Sequence, residues 1–223
     1  LARFEGELAA LIRFMRARPP EARSVVFMDG SLIVSFAEKQ SQDPHAQAYV
    51  TTVLSLLEAA EATRTPLVAY VDGSRAKDLA RMVASATGEE PGGVTDAMLL
   101  EGRLRWGDRT AAFRCAREGI LDSYGPHRRA IAFCYLQTRE SHPPARLEFP
   151  AWMLDTIDPV IDAVRADAIA GSGYPYTLAA ADATAVLTTS DRDRFQRTLE
   201  DFLAQKDIPL AFSTKALSKL RRR

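Results

Sequence analysis

Cysteine and histidine are scarce in this chain of 223 residues, which has two cysteines and three histidines. Cys115 and Cys134 cannot form a disulfide framework, and the sequence shows no secretory signal pattern, so we expect reduced, buried thiols in a cytoplasmic protein. The three histidines, His45, His127 and His142, do not have the spacing of a zinc site. The sequence therefore argues against a disulfide-rich secreted module and against a zinc-binding module.

An excess of one charge and a long apolar run are also absent. Lys plus Arg and Asp plus Glu each number 29, so any charged binding surface must come from local clustering. No apolar stretch reaches the ~18 residues of a membrane span. Hydrophobic residues make up 47% of the chain, an ordinary value for a globular protein. We therefore expect one sizeable domain over residues 1–223.

Strand-like and helix-like segments alternate along the chain. Apolar runs predict strands at 24–36, 67–71, 129–138 and 146–154. Helical periodicity predicts helices at 1–17, 46–62, 75–86, 94–104, 155–169 and 191–206. This alternation is typical of an α/β domain with a mixed sheet.

The tripeptide Asp-Gly-Ser occurs twice, each time next to an apolar run, at 29–31 and 72–74. A turn is the simplest interpretation of either copy, because Asp caps its own backbone and Gly accepts a positive φ. A carboxylate at a strand end, joined by acids from a helix and a distant segment, is also how proteins hold Mg²⁺ or Mn²⁺. An ionised Asp29 buried at a strand end would cost several kcal/mol without a positive partner. We therefore consider a metal ion at Asp29.

Several segments, in order along the chain, resemble the NurA nuclease family. They are VVFMDGSLI at 25–33, LVAYVDGSRAKDL at 67–79, VTDAMLL and GDRTAAF within 94–113, FCYLQT and RLEFPAW within 133–152, and GYPYTLAAADATAVL at 173–187. The resemblance implies an RNase H-like fold, a mixed sheet flanked by helices and related to the PIWI nuclease module. It also implies a manganese-dependent deoxyribonuclease, with 5′–3′ exonuclease and single-strand endonuclease activity, that resects ends in double-strand-break repair.

The same resemblance implies cofactors and partners. The family site binds two manganese ions, which magnesium could replace, and the two ions would bridge the scissile phosphate. The implied partners are single-stranded DNA, double-stranded DNA ends and a HerA-type hexameric translocase. The chain is expected to form a homodimer and not to contact a membrane.

Matching motifs carry the family's site residues onto this chain. Asp29 takes the place of a strand-borne aspartate, and Tyr174 matches a tyrosine near the scissile phosphate. The helix-borne glutamate is Glu5 or Glu7, since both flank the apolar stripe of the first helix. Asp182 stands where the family has histidine. An aspartate can ligate manganese, but it cannot donate a proton as an imidazolium does, so proton transfer would need bound water.

The family's first aspartate lies on a strand before the helix that opens this sequence, and we expect the sequence to begin after that strand. Asp72 has similar surroundings, but its position fits a later strand, and we do not expect it to be a ligand. Ser74 and Arg75 would then face the substrate or solvent. Arg75 and Arg109 could each bind a backbone phosphate, and a surface ion pair is an equally good interpretation of both.

Three further residues have two interpretations each. Glu148 either supports the metal ligands from behind or pairs with Arg146. Trp152 and Phe149 could stack on unpaired bases, although core packing is the favoured interpretation.

Two other functions are compatible with the sequence. Because the histidine is replaced, the chain could be a catalytically degenerate adaptor that docks DNA onto a translocase ring. It could also be an unrelated phosphatase or nucleotidyl hydrolase with an Asp-Gly-Ser active-site loop.

Overall fold

The structure, a computed structural model, describes residues 1–19, 21–36, 43–90, 92–117, 119–186 and 188–206. The chain forms two compact units, Leu1–Ala180 and Ala181–Arg223. The strands are β1 (Val26–Asp29), β2 (Leu67–Val71), β3 (Phe113–Arg114), β4 (Ile131–Leu136) and β5 (Ala145–Pro150). The helices are α1 (Ala2–Ala17), α2 (Pro44–Ala62), α3 (Asp78–Thr87), α4 (Asp96–Leu100), α5 (Asp158–Ala170), α6 (Tyr176–Thr184) and α7 (Thr189–Gln205). Two 3₁₀ segments cover Ile120–His127 and Ala151–Thr156.

The five strands form one mixed sheet in the order β1-β2-β5-β4-β3. Strands β1 and β2 are parallel, and the other neighbours are antiparallel, which confirms the predicted mixed α/β class. Asp29 is aligned with Tyr70, Tyr70 with Leu147, and Leu147 with Cys134. The ends of β1, β2 and β4 therefore lie at one edge of the sheet beside the start of β5. We call this the Asp29 edge.

Helices cover both faces of the sheet. Side chains alternate between the faces along each strand, so one face of β1 carries Val26 and Met28 and the other carries Phe27 and Asp29. The first face packs with α1 and α2 in one buried cluster that includes Leu8, Met15, Val53, Leu56, Leu67, Ala69, Phe133 and Tyr135. The second face packs against α5 in another cluster that includes Val68, Tyr70, Leu147, Phe149, Ile161 and Val164. Helices α1 and α5 therefore cover opposite faces.

The strand predicted over 24–36 is wrong beyond Asp29. Gly30 has a φ of +105° and turns the chain out of the strand direction. Leu32 and Val34 are buried without strand pairing, and the Tyr124 hydroxyl binds them instead. It donates to the Leu32 carbonyl at 2.7 Å and accepts from the Val34 N–H at 3.0 Å. The apolar residues at 32–34 therefore indicate a buried segment and not a strand, because a side chain and not a neighbouring strand binds their backbone groups.

Two helix predictions run longer than the helices in the structure. The helix predicted over 75–86 begins at Asp78, and the one predicted over 94–104 ends at Leu100. Past that end, Gly102 has a φ of +67°, which a continuing helix cannot accommodate. The expected thiols are confirmed, since Cys115 and Cys134 are both free and buried. Burial raises the pKa of each thiol to about 12.

A cluster of charged side chains is buried on the face that α1 and α2 cover. Arg146, on β5, is 1% exposed, and its guanidinium lies 3.9 Å from the centre of the Phe133 ring. Its Nε donates to Glu148 at 2.7 Å, and its Nη1 forms an ion pair with Asp78 at 2.8 Å. A buried ion of either sign costs several kcal/mol unless it is paired in this way. Arg146 therefore depends on its two acidic partners.

Two more charged residues complete this group. Arg117 donates to both carboxylate oxygens of Asp78, at 2.8 and 2.6 Å. Asp96 is fully buried and accepts from the N–H groups of Asp78 and Ala80, both at 2.9 Å, at the first turn of α3. We call Asp78, Asp96, Arg117, Arg146 and Glu148 the Arg146 cluster. The Arg146 cluster joins β5 to α3, α4 and the segment after β3.

We predict that Asp78→Asn lowers the free energy of unfolding at pH 7 by about 3 kcal/mol or more, because it leaves two arginines without their shared carboxylate. Burial alone raises the pKa of Asp78, but hydrogen bonds and charge from Arg117 and Arg146 outweigh it and hold that pKa below its usual value. The contribution of Asp78 is therefore present above about pH 4 and is lost as the pH falls through the lowered folded-state pKa.

Urea unfolding of both proteins between pH 3 and pH 7 measures this. The stability difference between wild type and Asp78→Asn should narrow as the pH falls. A difference that stays constant over that range contradicts the assignment.

Candidate active site

Asp29 ends β1, and its side chain is exposed to solvent. The expectation that this carboxylate is buried at a strand end is wrong. One more backbone hydrogen bond extends the pairing with β2 beyond Asp29, because the Gly30 N–H donates to the Tyr70 carbonyl at 3.0 Å. Because the carboxylate remains in water, its charge needs no metal to offset desolvation. The case for a metal at Asp29 therefore depends on its neighbours.

The side chain of Tyr174 lies next to Asp29. Its hydroxyl lies 3.5 Å from Asp29 Oδ1, at the long end of hydrogen-bond range. Its ring packs edge-on against Tyr70 with the ring centres 5.3 Å apart. The Tyr70 hydroxyl in turn lies 3.1 Å from Thr138 Oγ1. Residues 145 positions apart thus meet at the Asp29 edge, and a phenol is held beside a carboxylate.

The loop that carries Tyr174 requires glycine at two positions. A Cβ on Gly171 would lie 1.9 Å from the Tyr174 carbonyl oxygen. Gly173 has a φ of +105°, and a Cβ there would lie 2.2 Å from Cγ of Arg139. After the loop, the N–H and hydroxyl of Thr177 both donate to Asp167, at 3.1 and 3.0 Å, which fixes the start of α6. The backbone around Tyr174 is therefore held at both ends.

The second Asp-Gly-Ser copy has a different environment from the first. Asp72 Oδ1 accepts from Arg139 Nη2 at 2.5 Å, so an arginine already neutralises this carboxylate. The same Arg139 side chain packs against Gly173 of the Tyr174 loop. The ion pair with Arg139 agrees with the expectation that Asp72 is not a metal ligand.

Glu148 fixes the turn that follows Asp29. Its carboxylate is 1% exposed and accepts from the Ser31 hydroxyl at 2.7 Å and the Leu32 N–H at 2.8 Å. Its other oxygen receives the Arg146 bond, so the pairing with Arg146 is confirmed. We call residues 29–32 the Asp29 turn. The Arg146 cluster thus determines where the Asp29 turn lies.

The two glutamates of the first helix lie on its solvent-exposed side. Glu5 and Glu7 are exposed on α1, whose apolar side packs on the sheet face opposite the Asp29 side chain. Glu7 pairs with Arg3, whose Nε lies 2.7 Å from Glu7 Oε1. The structure does not choose between the two as the helix-borne acid. That choice stays a prediction.

Asp182 lies on α6, in the part of the chain assigned to the second unit, and is exposed. Its role as a ligand stays a prediction. Within the described ranges, no three His, Cys, Asp or Glu side chains are grouped so that they could hold a metal ion. Asp29 offers the hard oxygen donors that Mn²⁺ and Mg²⁺ prefer, so it fits as one ligand. The described residues do not complete the set around it.

The predicted substrate-binding residues separate into two places. Arg75 is exposed and Ser74 is buried, where its hydroxyl accepts from the Ala76 N–H at 3.2 Å. Both line a cleft of about 360 Å³ whose other walls include Ser31, Arg117, Arg146 and Glu148. Ser74 and Arg75 therefore share a cleft with the Asp29 turn.

Arg109 is at the other side of the sheet. Its backbone pairs with Leu136 at the end of β4. The Arg109 segment is therefore about four strand spacings, or roughly 19 Å, from β1. Its guanidinium lies 2.5 Å from the Asp158 carboxylate. The structure thus favours the ion-pair interpretation of Arg109.

The structure tests the core-packing interpretation of Phe149 and Trp152 and shows a further aromatic residue that the sequence does not single out. Phe149 is fully buried, and the half-buried ring of Trp152 lies under the Arg64 guanidinium, 4.1 Å from the ring centre. Core packing of these two is therefore confirmed. The tryptophan that reaches solvent is Trp106, which is 45% exposed. No periodic pattern marks Trp106 in the sequence, because it lies in a polar turn.

Fold and site together define an α/β protein with a mixed five-stranded sheet, helices on both faces and an exposed carboxylate at a strand end. The NurA domain family model matches residues 1–187. The chain therefore belongs to the NurA family, as the motifs predicted.

A solved structure, the crystal structure of the NurA nuclease from Sulfolobus solfataricus, is similar with a TM-score of 0.58. The two chains are 15% identical, and the match covers 94% of this chain and 67% of that one. At this identity the likeness establishes the fold. No curated protein sequence matches the chain. Among the described residues, no helix has both the length and the apolar character needed to span a bilayer.

We predict that Glu148→Gln lowers the free energy of unfolding by about 3–5 kcal/mol, because it removes the charge that pairs with the Nε of the buried Arg146 and leaves Asp78, at 2.8 Å, and Asp96, at 3.8 Å, to offset it. The matched variant Ser31→Ala removes one hydrogen bond to the same carboxylate and should cost about 1 kcal/mol. Urea unfolding of the three proteins at pH 7 measures both differences. Equal losses in the two variants, or wild-type stability of Glu148→Gln, would contradict the role given to Glu148.

Proposed function

We propose that the chain is a metal-dependent DNA nuclease that hydrolyses phosphodiester bonds. Membership of the NurA family supports this proposal. The structural observation that carries it is the Tyr174 hydroxyl beside the exposed Asp29 carboxylate, two groups that the family resemblance assigns to the reacting phosphate. We further propose that the reaction serves end resection in double-strand-break repair.

In this proposal each side chain at the Asp29 edge has one task. Asp29 would supply carboxylate oxygens to a divalent cation, manganese in preference to magnesium. When bound, such a cation supplies charge stabilisation and a more acidic water. Tyr174 donates a hydrogen bond from its hydroxyl to a phosphate oxygen or to a bound water and so orients the scissile phosphate. Ser74 and the Arg75 guanidinium, in the cleft against the Asp29 turn, bind the DNA backbone at a neighbouring phosphate.

The rest of the proposed machinery comes from the family resemblance. Two metal ions per site, one further ligand from Glu5 or Glu7 and another from Asp182 belong to this part of the proposal. So do 5′–3′ exonuclease and single-strand endonuclease activity, a homodimer and a HerA-type hexameric translocase as partner.

One observation favours a second candidate function. The acids on the described part of the chain do not form a group of three that could hold a metal. A chain with an incomplete metal site could still bind DNA and dock it onto a translocase ring without cutting it. Such an adaptor would bind single-stranded DNA and leave it intact in the presence of manganese.

We predict that Asp29→Asn lowers the rate of manganese-dependent cleavage of an end-labelled single strand by about a hundredfold or more, equivalent to roughly 3 kcal/mol of transition-state stabilisation. Asn keeps the size of the side chain and removes its charge, so the fold and DNA binding should not change. The matched control is Asp72→Asn, the same substitution in the second Asp-Gly-Ser copy, which should cut at close to the wild-type rate.

Cleavage by Asp29→Asn at the wild-type rate, or an equal loss in Asp72→Asn, would contradict the assignment. A wild-type protein that binds the strand with manganese present and does not cut it supports the adaptor instead.

We predict that Tyr174→Phe lowers the cleavage rate by about ten- to a hundredfold, which corresponds to the loss of one hydrogen bond to a charged group at the reacting centre. The ring contact with Tyr70 remains, so the melting temperature should stay at the wild-type value. Tyr176→Phe, at an exposed position two residues later, is the control and should cut normally. Full activity of Tyr174→Phe would remove the hydroxyl from the mechanism.

A further inference from the structure

Trp106 is held at the tip of a rigid turn with its ring in solvent. Its indole N–H donates to the Thr138 carbonyl at 3.1 Å, and the residue is 45% exposed. The turn is closed by Asp108, whose carboxylate accepts from the Arg105 N–H at 2.9 Å and whose N–H donates to the Arg105 carbonyl at 2.9 Å. The N–H end of the ring is therefore used within the protein, and the apolar faces are left for another molecule.

The same turn is fastened to the sheet and to α5. The Gly107 N–H donates to the Gln137 carbonyl at 2.8 Å, and the Gln137 N–H donates to the Asp108 carbonyl at 2.9 Å. From α5, Arg165 Nε donates to the Gly107 carbonyl at 2.8 Å. Little conformational entropy remains to be lost when a ligand contacts Trp106, so a ring in this position is preorganised for binding.

Trp106 lines two clefts. One cleft, of about 850 Å³, extends from the end of α4 to the loop at Glu140–Pro144. The Gln137 side-chain amide braces this loop through bonds to the Arg139 and His142 carbonyls, at 2.5 and 2.8 Å. The other cleft, of about 480 Å³, is lined by residues that include Arg139, Ile169 and Gly173. Both volumes fall in the range of small-ligand sites.

The second cleft lies next to the loop that carries Tyr174. Gly173 precedes Tyr174 in its loop, and Arg139 binds Asp72 at the Asp29 edge. Thr138 contacts Trp106 through its carbonyl and Tyr70 through its hydroxyl, and Tyr70 contacts Tyr174. A strand that leaves the Asp29 edge on this side would pass Trp106.

We propose that Trp106 stacks on an unpaired nucleobase of the DNA strand bound at the Asp29 edge, which rests on the proposed nuclease function. The first cleft carries charges of both signs, with Arg105 beside Glu101 and Glu140. Its lining is therefore suited to a neutral, flat ligand better than to a phosphate. A base in a duplex is already stacked on both faces, so the site selects unpaired nucleotides, and it does so without reading their sequence.

The test measures binding in EDTA, where cleavage does not interfere. The probe is a fluorescein-labelled oligothymidine of about ten nucleotides, a length typical of single-strand sites. Trp106→Ala should bind it about 5- to 150-fold more weakly than wild type, the range for loss of one base stack. Trp106→Phe, which keeps a ring but not the N–H, should retain most of the affinity. The matched control is Met82→Ala, which removes an exposed apolar side chain outside both clefts and should bind like wild type.

A strand of the same length with abasic sugars separates stacking from backbone binding. Wild type should bind the abasic strand as weakly as Trp106→Ala binds oligothymidine. The proposal is overturned if Trp106→Ala binds oligothymidine like wild type, or if wild type binds the abasic strand equally well, or if wild type binds neither strand.

Cleavage of the same oligothymidine in manganese separates this proposal from the nuclease function. If wild type does not cut but its binding depends on Trp106, the nuclease function fails and the stacking site stands. If wild type cuts and Trp106→Ala binds normally, the stacking site fails and the nuclease function stands.

Discussion

The buried bond between Arg146 and Glu148 is the constraint on which the site depends. Both side chains are 1% exposed, so each buried charge depends on the other together with its remaining partners. Glu148 uses its second oxygen for the Asp29 turn, and Arg146 reaches Asp78 at the start of α3. Charge balance inside the domain therefore fixes a surface loop, and Asp29, at the start of that loop, is exposed to solvent.

Much of the fold could be predicted because apolar runs and helical periodicity report burial directly. The apolar run at 67–71 predicts β2 with its observed bounds, and the apolar stripe in residues 1–17 predicts α1. The same rule failed at Leu32–Val34, where a tyrosine hydroxyl and a carboxylate satisfy buried backbone groups that a strand neighbour would otherwise bind. Composition alone does not distinguish these two ways of burying a segment.

For the candidate site, the family resemblance names Asp29 and Tyr174, and the fold places their side chains next to each other. Their roles stay predictions. Partner choice could not be predicted, since Arg109 binds Asp158 and Asp72 binds Arg139 only because distant segments meet. Helix α1 covers the sheet face opposite the Asp29 side chain, and no pattern within residues 1–17 could have revealed this. Trp106 was missed because its exposure results from a turn fastened to β4 and α5.

The central claim is that Asp29 is a metal ligand and not only a turn residue. Crystals grown with manganese and measured at a wavelength where manganese scatters anomalously test it directly, without reference to activity. The account predicts an anomalous peak within bonding distance, about 2 Å, of an Asp29 carboxylate oxygen. A fully manganese-loaded crystal with no peak at Asp29, or with its peaks only at other residues, would contradict it.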